Sequence, residues 1–197
     1  MKQAADNTVL DLAFRQARTF NKFSDKPVSE ATLREIVTLA QWGPTAMNSQ
    51  PVRYVFVQSA EAKQRLAPTL SPGNLAKTLA APVTVIVAAD SRFYEHLPTQ
   101  FPSFPGAHDM FAGNATAAAG TAGLNSHLQG AYFILAARLL GLDCGPMAGF
   151  DTAKVNAEFF PDGRYQAQFL INLGYGDASG NHPRGPRLGF EQIASLI

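Results

Sequence analysis

Residues 141–151 read Gly141-Leu142-Asp143-Cys144-Gly145-Pro146-Met147-Ala148-Gly149-Phe150-Asp151. Upstream, Leu128, Ala131, Tyr132, Leu135 and Leu139 recur at helical spacing, and Gly141 stops that amphipathic helix. Downstream, Asp151 caps a helix running through Phe160, and Gln168–Leu173 reads as a buried strand that ends at Gly174. Helix, Gly/Pro turn, helix and strand follow one another without strict strand–helix alternation. The remainder has the same character. Val9–Phe20 reads as a helix. Ser29 caps a helix carrying Leu33, Ile36, Val37 and Ala40 on one face, ended by Gly43-Pro44. Val52–Gln58 is a strand, Ala60–Leu66 and Asn74–Leu79 are short helices, and Val83–Ala89 is a buried strand. Phe190–Leu196 closes the chain as a short helix. Few strands separated by clusters of helices specify an α+β fold. Two stretches resist assignment: Pro98–Gly123, aromatic and proline-rich at first and Ala/Gly-rich at its end, and 176–189.

A length of 197 residues fits one domain, 1–197, or one subunit of an intertwined oligomer. Apolar residues make up 46% and charged residues only 16%, so apolar surface is expected to be covered by a second copy. Sixteen Lys+Arg against fifteen Asp+Glu give a net charge of +1, which lacks the footprint of a nucleic-acid or anionic-membrane binder. The longest apolar run, Ala80–Ala89, is too short to span a bilayer. Asp6 and Asp11 near the start and the missing apolar h-region point to a cytoplasmic protein. One cysteine excludes an internal disulfide framework, and His96, His108, His127 and His182 show no metal-ligand spacing, so no metal is expected.

P-loop, G-x-G-x-x-G and G-x-S-x-G signatures are absent. Cys144 has no base near it in sequence and reads as a small buried thiol. Five polar or Gly/Pro segments stand at element ends instead: Arg18-Thr19-Phe20-Asn21, Pro44–Pro51, Gly73–Lys77, Gly145–Asp151 and Pro183–Arg187. Singly, each has a structural reading as a turn, a cap or a solvated arginine. Together they supply what a planar phosphorylated cofactor requires. Arg18, Thr19, Arg184 and Arg187 offer charge-assisted donors for a phosphate. Asn74 and Lys77 lie one helical turn apart and can address the same ring edge, where a lysine stabilises developing negative charge. Gly145–Gly149 permit close approach of backbone N–H groups to a ring nitrogen. Flavin mononucleotide (FMN) matches this set.

Read in order, Asp25-Lys26-Pro27-Val28, Gln41-Trp42-Gly43-Pro44-Thr45, Asn48-x-x-Pro51, Asn74-x-x-Lys77, Gly145-Pro146-Met147-x-Gly149-Phe150-Asp151 and Gly174-Tyr175-Gly176 resemble the nitroreductase superfamily of FMN-dependent NAD(P)H oxidoreductases. The resemblance covers Phe14 to Leu196. Within it, Ala17-Arg18-Thr19, Gly73–Leu79, Phe93-Tyr94-Glu95-x-Leu97-Pro98 and Gly141-Leu142-Asp143 are similar to the malonic semialdehyde reductase, or 3-hydroxypropionate dehydrogenase, branch. The resemblance implies an α+β sandwich with a small, mostly antiparallel sheet wrapped by helices, and an intertwined homodimer with FMN at the interface. It implies that Arg18, Thr19 and Asn21, with Arg187, hold the phosphate and ribityl chain. Thr45, Asn48 and Gln50 would come from the partner subunit. Asn74 and Lys77 would bind the pyrimidine edge. The backbone of Pro146, Met147, Ala148 and Gly149 would pass the flavin N5, with Ala148 or Gly149 N–H as donor.

The implied activity is ping-pong hydride transfer from NADH or NADPH to a small acceptor, malonic semialdehyde first. A broad nitro or quinone reductase and a flavin-binding protein without turnover are the alternatives. No catalytic acid or base is identified. Many members begin with an Arg-Ser-x-Arg type motif, where this chain has Ala17-Arg18-Thr19-Phe20. Many carry an acidic residue in the loop facing the flavin, where this chain has Ala148. Pro98–Gly123 replaces the usual roofing helices, which puts Phe104 or Phe111 beside the flavin or, alternatively, in an interface core.

Overall fold

The computed structural model describes residues 3–197. Helix α1 (Asn7–Leu10) passes directly into a π-helical turn, Asp11–Arg15. Helix α2 (Glu30–Ala40) starts at Ser29, whose Oγ accepts from the Thr32 N–H at 3.1 Å. Strand β1 (Val52–Val57), helices α3 (Ala60–Leu66) and α4 (Pro72–Ala80) and strand β2 (Val83–Asp90) follow. Next come helices α5 (Leu97–Gln100), α6 (Ala107–Ala112) and α7 (Ala115–Leu139). The chain ends with strand β3 (Asp143–Met147), helix α8 (Thr152–Phe159), strand β4 (Tyr165–Gly174) and helix α9 (Phe190–Ile193).

The four strands form one sheet in the order β1-β2-β4-β3, and every neighbouring pair is antiparallel. Residues of β2 are buried along its whole length because both faces of the sheet are covered. Val83, Val85 and Val87 point to one core with Ile36 of α2 and Phe133 and Ala137 of α7. Ile86 and Ala88 point to the other core with Leu66, Val155 and Phe160. The period-two alternation of the strand thus divides one apolar run between two cores.

Helix α7 has 25 residues, about 37 Å of helix, and packs across all four strands. Its buried face is built from small residues, Ala118, Ala122, Ser126 and Gly130, with Phe133 as the large anchor. Leu124, Leu128 and Tyr132 lie on another side and are exposed. Apolar character all round hides a helix's boundaries, and α7 begins at Ala115, thirteen residues before the amphipathic stretch readable from sequence. The Ala/Gly-rich end of Pro98–Gly123 is therefore the first part of α7, capped by Asn114, whose Oδ1 accepts from the Ala117 N–H at 3.0 Å.

Other expectations need correction. Val9–Phe20 is not one helix: its helical part ends at Arg15, and Thr19 is extended and pairs with Cys144. Residues 143–147, read as a turn, are a strand, and the second sheet edge depends on them. Phe111 is buried beside Phe93, with ring centroids 5.0 Å apart, in a third cluster that folds α5 and α6 against α7. Phe104 is half exposed. Among the described residues no helix is long and apolar enough to cross a membrane.

Lys63 of α3 is buried and donates to the carbonyls of Thr78, at 2.8 Å, and Ala81. It thereby satisfies carbonyls at the C-terminal end of α4. Burial lowers its pKa to about 8 from 10.5. A base with a depressed folded pKa favours the folded state above its unfolded pKa, and that contribution fades as pH falls. Stability attributable to Lys63 is therefore expected to rise from pH 8 to pH 10.5. Denaturant melts of the native chain and of Lys63→Met across this window check it: the difference in stability between the two should widen in favour of the native chain as pH rises.

Candidate functional site

Strand β3 has a single neighbour in the sheet, β4, and its outer edge is met by the segment after α1. Thr19 bridges to Cys144, and the Phe20 N–H donates to the Cys144 carbonyl at 3.1 Å. Gly145 makes this approach feasible, since a Cβ there would overlap the Phe20 carbonyl oxygen. The same segment is fastened from the other side. Ser24 N–H donates to the Tyr175 carbonyl at 2.8 Å, and Asp177 N–H to the Lys22 carbonyl at 2.9 Å. Arg18, Thr19 and Asn21 are thus held at one sheet edge by backbone bonds on both sides.

A cleft of about 680 Å³ opens beside this segment and is lined by five guanidinium groups, Arg15, Arg18, Arg138, Arg184 and Arg187. Among the described residues no carboxylate lines it. Arg18 donates to the His182 carbonyl, and Arg184 donates to the Ala17 carbonyl at 2.9 Å, so the C-terminal segment is clipped across the cleft. Arg187 donates to carbonyls of its own segment, Gly185 and Pro186, at 2.9 and 3.1 Å. Of these five, among the described residues, Arg15 is the one in an ion pair with a carboxylate, Asp11, at 3.1 Å. Arg138 donates to the Ala13 carbonyl at 3.1 Å and feels the nearby Asp143 carboxylate. Arg18, Arg184 and Arg187 spend donors on neutral carbonyls and keep their charge, which is the chemistry of an anion site.

At the C-terminal end of β3, the start of α4 closes on the turn that follows the strand. Leu70 bridges to Phe150, and the Ser71 N–H and Asn74 Nδ2 both donate to the Gly149 carbonyl, at 3.0 and 2.8 Å. One turn further on, Lys77 Nζ donates to Asn21 Oδ1 at 3.3 Å. The structure therefore brings Arg18, Thr19, Asn21, Asn74, Lys77, Pro146–Gly149 and Arg187 to the β3 edge of the sheet. Met147 turns its side chain into the core and Ala148 is exposed, so only the backbone of Pro146–Gly149 is at the service of a ligand. Cys144 is fully buried and burial pushes its thiol up to about 12, which leaves no thiolate for chemistry.

Thr45, Asn48 and Gln50 stand elsewhere. They precede β1, at the opposite edge of the sheet, about 14 Å away by strand spacing. Asn48 Nδ2 donates to the Gln100 carbonyl at 3.0 Å, and Gln50 Nε2 donates to Asn48 Oδ1 at 2.9 Å. Met47, Asn48 and Gln50 all have left-handed backbone, φ 52°, 50° and 40°, a strained arrangement for side-chain-bearing residues. Two buried residues of α7 hold this loop: Asn125 Oδ1 accepts from the Ala46 N–H at 2.8 Å and Gln129 Oε1 from the Val52 N–H at 3.1 Å. Sequence reasoning missed both. Lone amides on a helix that is otherwise small and apolar were the available signal.

Gly149 gives a direct check on this geometry. A Cβ there would overlap Asn74 Nδ2. Gly149→Ala is expected to break the Asn74 hydrogen bond and to cost about 1–3 kcal/mol in a denaturant melt.

Comparison with known proteins identifies the family and the fold. Residues 14–175 match the family described as Nitroreductase family. The chain is 55% identical over 190 residues to a protein of Burkholderia lata, spanning 96% of this chain and 97% of that protein. It is 52% identical over 190 residues to a protein of Ralstonia nicotianae, with the same spans. Both relatives carry the provisional name NADH dehydrogenase/NAD(P)H nitroreductase. In fold it is similar to the crystal structure of a provisionally named nitroreductase in complex with FMN from Exiguobacterium sibiricum, with TM-score 0.84, 21% identity and full coverage of both chains. The family match over most of the length, the relatives above half identity and the shared fold place the chain in the nitroreductase family.

Proposed function

We propose that this chain is an FMN-dependent NAD(P)H oxidoreductase that reduces a small carbonyl acceptor, malonic semialdehyde, to 3-hydroxypropionate. The observation that carries the FMN reading is the joint placement, at one sheet edge, of an arginine-lined cleft, the Asn74–Lys77 pair and the Gly149 turn. The donor set fits the cofactor. A phosphate dianion matches Arg18, Arg187 and the Thr19 hydroxyl. A pyrimidine edge with alternating donors and acceptors matches the Asn74 carboxamide and the Lys77 ammonium. When bound, FMN supplies two-electron chemistry, accepting hydride from NAD(P)H and passing it to the acceptor in a second half-reaction.

The chain's own residues bind and orient. Lys77, held by Asn21, would set a positive charge beside the pyrimidine edge of a bound flavin. The Ala148 and Gly149 N–H groups would be the backbone donors, with no bulky side chain of their own in the way. The Ala148 side chain carries no proton to give to the reduced acceptor. Thr45, Asn48 and Gln50 act on the site of a second copy, since within one chain they lie at the far edge. An intertwined homodimer is supported by the exposed apolar residues of α7 and by Trp42, which is 79% exposed. Leu188, Phe190, Ile193 and Leu196 of the C-terminal segment are also exposed and need a partner surface.

The names of the relatives favour a second reading, a broad-specificity nitro or quinone reductase built on the same site. An anaerobic absorbance series separates the two. The purified protein is expected to be yellow, to bleach with NADH or NADPH, and to regain its colour on adding malonic semialdehyde. Recovery with nitroaromatics or quinones alone would replace the acceptor and keep the enzyme class. A colourless protein that FMN does not reconstitute would remove the flavin reading.

A further inference from the structure

Beneath the site lies a chain of buried polar groups that the assigned roles leave unused. Thr78, Thr84 and Asn172 are each 0% exposed. The Thr84 hydroxyl donates to Asn172 Oδ1 at 2.9 Å, Asn172 Nδ2 donates to Thr78 Oγ1 at 3.3 Å, and the Thr78 hydroxyl donates to Met147 Sδ at 3.7 Å. The four residues belong to β2, β4, α4 and β3. Asn172 pairs in register with Thr84 on one side and Gly145 on the other, so it stands in the middle of the sheet beneath α4.

The chain has one direction. Thr84 gives its only hydroxyl proton to the Asn172 oxygen, which turns the Asn172 amide nitrogen toward Thr78. Thr78 then has one proton left, and Met147 receives it. Apolar side chains of the same size would fill this space at similar or lower cost, because desolvation offsets much of what buried hydrogen bonds return. What apolar packing lacks is direction. Residues on a helix are about 100° apart, so a small roll of α4 swings its neighbours sideways. Thr78 is adjacent to Lys77 and one turn from Asn74, and Met147 immediately precedes the Ala148–Gly149 turn that Asn74 grips.

We propose that Thr78 and Asn172 are positioning residues for the cofactor: their hydrogen bond fixes the roll of α4 against β3, and so the placement of Asn74 and Lys77 relative to the Pro146–Gly149 backbone. This rests on the FMN reading above. Neither residue touches the ligand. Lys63 supports the same helix through the Thr78 carbonyl and does not set its roll, since it reaches only the backbone.

The test uses full-length protein stripped of flavin and titrated with FMN, with the reduction potential of bound FMN as a second readout. Thr78→Val keeps the shape and removes the hydroxyl. It is expected to weaken FMN binding about tenfold or more, ~1.4 kcal/mol, and to shift the potential. Thr78→Ser restores the hydroxyl and should bind as the native protein does. The triple variant Thr78→Val, Thr84→Val, Asn172→Leu removes every unpaired partner at once. It should melt near the native apo-protein and still bind FMN as poorly as Thr78→Val. Native-like FMN affinity and potential in either valine-bearing variant overturns the inference. So does failure of both to fold, which makes the network a stability element only. Native protein that binds no FMN overturns the cofactor reading itself, a distinct outcome.

Discussion

The outer edge of β3 is the constraint on which the site depends. A sheet edge exposes unpaired backbone groups, and here one of them, the Cys144 carbonyl, is taken by the Phe20 N–H rather than by water or another strand. That contact requires Gly145, because any side chain would collide with the Phe20 carbonyl. It carries Arg18 and Thr19 to the β3 edge, while the turn beyond the strand draws in Asn74 through the Gly149 carbonyl. A single strand thus joins a segment from the start of the chain, a helix from its middle and a turn near its end. These segments are far apart in sequence, and backbone bonds supplemented by the Asn74 side chain hold them, which suits a site that must present donors in fixed positions.

Electrostatics divides the site in two. At one end Arg18, Arg184 and Arg187 keep their charge because their hydrogen bonds go to carbonyls, His182, Ala17 and the Arg187 segment itself. At the other end a single ammonium, Lys77, is steadied by the neutral Asn21 side chain. A ligand with a doubly charged tail and a neutral, polar-edged ring meets both ends. Among the described residues no carboxylate lines the cleft itself. Asp90 is buried between Arg53, at 2.7 Å, and Arg164, at 3.0 Å, far along the sheet from the cleft.

Much of this was legible in the sequence, and what was not has physical reasons. Val83–Ala89 is readable because a strand covered on both faces has to be apolar throughout. Arg18, Asn74, Lys77 and Gly149 are readable as chemistry at element ends, and the structure gathers them. Strand β3 is hidden because Gly145 and Pro146 look like a turn. Proline is tolerated there because β3 is an edge strand. The first half of α7 is hidden because alanine and glycine leave no polar face to give it a period. Asn125, Gln129 and Asn172 escape because their partners are more than seventy residues away, and only the fold brings them together. Asn172 did leave a trace, one amide inside Phe169-Leu170-Ile171-Asn172-Leu173.

The central claim is that the arginine cleft and the Asn74–Lys77 platform form one continuous site, with the cleft for the phosphate. Parallel titration of the flavin-free protein with FMN and with riboflavin, which lacks only the phosphate, tests it most directly. The account predicts that FMN binds at least about a hundredfold more tightly, ~2.8 kcal/mol, and that this preference shrinks as salt is raised. Equal affinity for the two flavins would contradict it, because the arginines would then hold nothing that the ring does not already secure.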